Sequence, residues 1–124
     1  MATNTFTSSE LASLGRTDEL RIAGLREDGT LRKAVIIWMV VVDGELYVRS
    51  VNGPDAAWFR GTQVQGRGHI SAGSVDKDVA FTRVSDLDDE LDAAYAAKYR
   101  GYPSAVASIN SAGARSTTLR ADAV

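Results

Sequence analysis

The chain of 124 residues has no cysteine, one histidine and two prolines. Without cysteine there is no disulfide framework, no thiolate metal site and no cysteine nucleophile. One histidine is too few for a zinc site, which takes several His or Cys ligands, so no metal is expected. There is no surplus of positive charge either. Lys and Arg number 14 against 16 Asp and Glu, for a net charge of −2. Nucleic acid is therefore not an expected partner, because binding it needs a basic footprint. Long apolar runs are missing too. The longest, around Val35 to Val42, is far short of the ~20 residues that span a bilayer. The first residues, MATNTFTSSE, carry no basic group ahead of a short polar run, unlike a secretory signal. The expectation is a cytoplasmic protein with no membrane partner. Also absent are internal repeats, low-complexity segments and the βα alternation of a parallel doubly wound sheet.

What is present centres on Ala34 to Ser50, AVIIWMVVVDGELYVRS. Val35 to Val42 is unbroken, mostly Val and Ile, and reads as one long strand buried on both faces. Asp43-Gly44 supplies the positive φ of a two-residue turn. The returning strand alternates, with Leu46 and Val48 on one side and Glu45, Tyr47 and Arg49 on the other. Ahead of this hairpin, residues 1–6 read as a loose tail. Thr7 to Glu10 is a capping box for a short helix that Gly15 would end. Glu19 to Arg26 is a strand, joined to the central one through a turn at Asp28-Gly29.

After the hairpin, Val51 to Asp55 is a loop, and Ala56 to Gln63 a short helix capped by Asp55. His69 to Ala72 is a strand, Gly73 to Asp78 a turn, and Val79 to Val84 another strand. Ser85 to Arg100 is the clearest helix. Ser85 is placed to cap it, acidic residues crowd its first turn, and Leu87, Leu91, Ala94, Tyr95 and Lys98 share a face. A shorter helix over about Ala105 to Ala112 and a closing strand over Ser116 to Ala121 complete the chain. The sum is a single α+β domain over 7–124. It is mainly β, a small, six-stranded, mostly antiparallel barrel flanked by short helices, which the resemblance given below narrows to a split barrel.

Several residues could carry chemistry. Trp38 and Trp58 are the two tryptophans. Core packing is the simpler role for Trp38. For Trp58, beside a loop of Asn, Gly, Pro and Asp, packing and the wall of a ligand pocket weigh equally. Arg49-Ser50 closes a strand and enters a glycine-containing loop, with Arg32, Arg60 and Arg67 as further cations. A guanidinium fork matches phosphate oxygens, yet neither glycine cluster matches a P-loop or a dinucleotide fingerprint. His69 titrates near neutrality and could act as a general base. Tyr95, Lys98 and Tyr99 share a helix face, where an ammonium beside a phenol could hold phosphate or favour proton transfer; equally, the tyrosines could cover the barrel while the Lys stem lies along it.

The segments IWMVVVDGELYVRSVNG, AWFRG, the glycine turn from Gly66 to Ile70, AAYAAKY and TTLR (Thr117 to Arg120) resemble a small, largely uncharacterised bacterial family. That family groups with the split-barrel flavin-binding proteins, of the pyridoxamine-phosphate-oxidase-like and deazaflavin-dependent nitroreductase type. The resemblance implies a homodimer with ligand sites at the subunit interface, and FMN or a deazaflavin as cofactor. It implies that Arg32, Arg49, Ser50 and Arg60 hold the cofactor phosphate and that Trp38 and Trp58 lie near its ring. The well-characterised flavin oxidases' Arg/Lys pattern is not reproduced residue by residue, so a barrel without cofactor stays open. The leading expectation is a flavin- or deazaflavin-dependent oxidoreductase of a small organic molecule. One rival is a cofactor-free enzyme using Tyr95, Lys98 and His69 as acid/base groups. The other is a non-catalytic protein that binds a small planar ligand.

Overall fold

A computed structural model describes residues 6–124. Helix α1 spans Ser8–Arg16, and strands β1 to β4 span Leu20–Gly24, Val35–Ile37, Met39–Val42 and Glu45–Val48. Helix α2 (Ala57–Gln65) precedes β5 (Arg67–Ala72) and β6 (Val75–Arg83). Helices α3 (Asp88–Lys98), α4 (Pro103–Ile109) and α5 (Ala112–Arg115) then lead to β7 (Leu119–Ala123).

The strands form one sheet in the order β2-β1-β5-β6-β7-β4-β3, and every neighbouring pair is antiparallel. The two edge strands, β2 and β3, are separated in the chain by Trp38 alone. Successive Cα atoms are about 3.8 Å apart, so the sheet must curl until its edges meet at that residue. The result is a nearly closed barrel with a seam at Trp38. This corrects the expected single strand over Val35 to Val42. Val35 to Ile37 pairs with β1, while Met39 to Val42 pairs with β4. Nor is the first part buried on both faces, since Ile36 is 50% exposed. The strand count becomes seven instead of six.

Strand alternation sorts side chains into two layers. Leu20, Ile22, Met39, Leu46, Val48, Ile70, Val79, Leu119 and Ala121 fill the interior, with Leu14 and Phe59. Phe6 joins this core; the remainder of the expected tail lies outside the described residues. Val40 and Tyr47, on the opposite face of the hairpin, pack with Leu91, Tyr95 and Tyr99 of the α3 segment and with Ile109. The hairpin turn is as anticipated, with φ of 51° at Asp43 and 77° at Gly44. The capping box at Thr7 and Glu10 also forms, with bonds of 2.9 and 3.0 Å.

Boundaries shift where local signals competed. Helix α1 runs one residue past Gly15. Asp55 and Ser85 do not cap; Ala56 and Leu87 hold the N-cap positions without a side-chain bond. In α3 the carboxylates of Asp88, Asp89 and Glu90 in the first turn meet the helix dipole instead. The polar stretch after Gly73 is not a long turn. Gly73 takes φ of 57° in a tight turn, and Asp76 to Asp78 pair with Ser71 to His69. The expected helix after Pro103 divides into α4 and α5, and the closing strand begins at Leu119 rather than Ser116. No helix among the described residues is long and apolar enough to cross a membrane.

Helix α2 lies against β1 with almost nothing between them. A Cβ built on Gly24 would collide with the Gly61 backbone, and one on Gly61 would meet the Arg32 side chain. Gly15, in α1, has open space around it. Urea denaturation should therefore show Gly24→Ala losing about 1–3 kcal/mol through overpacking. Gly15→Ala should gain about 0.5 kcal/mol from helix propensity.

Candidate functional site

Arg49 follows β4 and is 1% exposed. Its Nε donates to Thr118 Oγ1 at 3.1 Å. Its Nη1 donates to Asp92 Oδ1 at 2.6 Å and Asn110 Oδ1 at 3.0 Å. Nη2 stands 3.5 Å from Asp88 Oδ1 and makes no hydrogen bond, and the guanidinium carbon sits 5.6 Å over the Tyr95 ring. Asp92 also pairs with Arg115. Burial alone would raise the Asp92 pKa, but hydrogen bonds from Arg115 and Arg49 outweigh it and hold the carboxyl below its ordinary value. One side chain thus ties the end of β4 to α3, to the α4–α5 junction and to the residue before β7.

A groove of about 450 Å³ opens beside this tie. Trp38 and Trp58 both line it, together with Val35, Ile37, Ile109, Asn52 and Arg49. Trp38 is half-buried and stacks on Tyr99, with centroids 3.8 Å apart and planes at 7°. Two neighbours on α3 and its cap pin the peptide next to Trp38. Tyr99 Oη accepts from the Met39 N–H at 3.2 Å and donates to the Asp18 carbonyl at 2.7 Å. Lys98 Nζ donates to the carbonyls of Met39 at 2.8 Å and Leu14 at 3.2 Å. Burial brings the Lys98 pKa down to about 8, with the Asp18 carboxylate acting against it.

The model of a family described as an uncharacterized protein conserved in bacteria matches residues 10–121. The chain belongs to this family, DUF2255. No curated protein matches it. Among solved structures, a conserved hypothetical protein from Mycobacterium tuberculosis superposes with a TM-score of 0.60 at 13% identity, covering 100% of this chain and 83% of that one. An F420 reductase gives 0.53 at 12% identity, covering 94% of this chain and 92% of that one. A FAD-binding protein from Mesorhizobium loti gives 0.56 at 16%, covering 98% and 91%. At these identities the likeness is one of fold, and the DUF2255 barrel is a split barrel of the same kind.

The DUF2255 chain brings only part of the anticipated site together. Trp38, Trp58 and Arg49 share the groove. Ser50 is fully buried, its N–H donating to Thr117 Oγ1 at 2.7 Å. Arg32 lies over Gly61 of α2. Arg60 is exposed on α2. Tyr95, Lys98 and His69 do not form one acid/base cluster. Tyr95 is fully buried against Arg49, and burial raises its pKa. Lys98 is spent on two carbonyls, and His69 faces Asp78 and Asp76 across the β5–β6 hairpin. Asp92, Asn110 and Thr118 around Arg49 were not anticipated, nor was the stacking of Tyr99 on Trp38. Tyr99 itself was marked by its spacing, four residues after Tyr95 on the same helix face.

Removing one partner of a buried ion pair strands the other. Arg49→Met should therefore cost about 3–5 kcal/mol in equilibrium unfolding; a variant of unchanged stability would show the tie to be dispensable. His69 gives a cleaner local test. The hydrogen bond to Asp78 raises its pKa, burial opposes, and Asp76 adds to the rise. A histidine raised on folding stabilises fully below its unfolded value of 6.5, and that stability fades as pH climbs through the folded value. NMR titration of the one histidine should give a pKa above 6.5, and Asp78→Asn should lower it more than Asp76→Asn.

Proposed function

We propose that the groove between Trp38 and Trp58 binds a flavin or deazaflavin, and that the protein is an oxidoreductase of a small organic molecule. The observation that carries this reading is the groove itself: two indoles, an apolar lining and a buried guanidinium in one volume of about 450 Å³. That is within the range of small-molecule sites. The residues fit a conjugated ring with an acceptor edge. Trp38 and Trp58 offer faces and edges for it, and Val35, Ile37 and Ile109 exclude water from it. Asn52 is the polar side chain in the lining that would orient it, with the buried Arg49 charge behind the wall. The phosphate end would fall to Arg60 and the uncapped N-terminus of α2, which has no acidic residue in its first turn.

When bound, the cofactor supplies hydride chemistry, and the protein supplies position and electrostatics. Two solved neighbours of the same fold are named as an F420 reductase and a FAD-binding protein, which supports this reading over the two rivals. The cofactor-free acid/base reading loses its motive, because Tyr95, Lys98 and His69 serve separate structural contacts. Ile36 and Val51, 50% and 49% exposed at the groove, are surfaces that a second copy in a homodimer would cover.

Titration of the purified protein with FMN and with a deazaflavin, followed by ligand fluorescence, should give saturable binding of one of them. Trp58→Ala should weaken that binding about tenfold or more through the lost aromatic contact, without changing stability to a similar degree. Indifference to both ligands at high micromolar concentration would end the cofactor proposal. Tight binding with no turnover of any electron acceptor would favour the non-catalytic reading.

A further inference from the structure

A second cavity, of about 700 Å³, adjoins the groove. It shares Trp38 and Ile36 with the groove and is otherwise lined by different residues. Its aromatic wall is a corner. Trp38 and Tyr102 stand with centroids 6.0 Å apart and planes at 51°, and Tyr102 leaves 60% of its surface exposed. Trp38 is held there from behind by the stacked Tyr99. Tyr99 is itself anchored to the chain at Met39 and Asp18.

Two carboxylates stand at this corner. Asp18 and Glu19 both line the cavity, both are exposed, and neither carboxylate makes an ion pair among the described residues. Burial pushes the Tyr99 hydroxyl up to about 12, and these two carboxylates add to the rise. Arg21 is the one cation in the lining, against two carboxylates. Lys98, on α3, feels the Asp18 carboxylate but lies outside the lining, with its ammonium bonded to the Leu14 and Met39 carbonyls. An indole face, a phenol and two carboxylates around one space attract an organic cation. The ring quadrupoles present their negative faces, and the carboxylates add direct charge.

We propose that this cavity is a binding site for a planar organic cation, stacked in the Trp38–Tyr102 corner with its charge toward Asp18 and Glu19. The site shares the Trp38 indole with the flavin reading but uses different polar residues, and its test is run on the cofactor-free chain. Substrates of this class are quaternised nitrogen heterocycles and arylalkyl ammonium ions.

The test is a charge series of similar shape on the cofactor-free protein. In Trp58→Phe the remaining tryptophan is Trp38, which borders both cavities, so its fluorescence reports binding and the Asp18, Glu19 and Tyr102 variants assign it to this corner. N-methylquinolinium should quench it saturably and bind about tenfold more tightly than neutral quinoline or anionic 1-naphthoate. The Asp18→Asn/Glu19→Gln double variant should remove most of that preference and leave quinoline binding in place, whereas Tyr102→Ala should weaken all three. Ligand-observed NMR on the wild-type chain should give the same ranking, which covers the case of a Trp58 variant that folds poorly. Linear, non-saturating quenching, or naphthoate binding as tightly as the cation, would overturn the proposal. Because no flavin is present, either result leaves the cofactor titration to be judged by itself.

Discussion

The structure depends on one buried guanidinium. Arg49 leaves the barrel at the end of β4 and enters a space closed by α3, the α4–α5 junction and the approach to β7. A charge taken out of water is costly unless its donors are used. Asp92, Asn110 and Thr118 use those on Nε and Nη1, and Asp88 stands 3.5 Å from Nη2. The partners come from positions 43 to 69 residues further along the chain. The charge can therefore be satisfied only when the C-terminal third has wrapped over the hairpin. That constraint places Ile109 against the groove and sets where β7 begins.

A second constraint acts at Trp38. A run of β-branched residues favours one extended strand, but the barrel needs its two edges to meet. The indole takes the residue at the meeting point and lies flat on Tyr99. Lys98 and Tyr99 hold the next peptide through its carbonyl and N–H. The seam becomes a rigid wall with an apolar groove on one account and an acidic aromatic corner on the other. Function in split barrels is set by sites grafted on the fold, and here both candidate sites use the same indole.

Much of the fold was legible along the chain. The Asp43-Gly44 turn, the alternation of Leu46, Tyr47 and Val48, and the capping box at Thr7 each act within a few residues, and each appears in the structure. The site was legible only in part. Trp58 was singled out because a loop of Asn, Gly, Pro and Asp precedes it, and it does line the groove with Trp38. Arg49 and Ser50 looked like a phosphate clamp because a basic residue and a hydroxyl at a strand end usually face solvent. Tyr95 and Lys98 looked like a catalytic pair because they share a helix face. Three residues along an α-helix is enough to turn one toward Arg49 and the other toward Leu14.

Local chemistry in the sequence determined the element types, the hairpin, the antiparallel character and the apolar strands, because those follow from backbone preferences and period. Tertiary structure alone decided that Val35 to Val42 breaks at Trp38, that Arg49 is buried rather than exposed, and that Trp38 and Trp58 face one volume. Those outcomes depend on ring closure of the sheet and on partners far along the chain. A short-range pattern carries no information about which distant carboxylate will reach a given arginine.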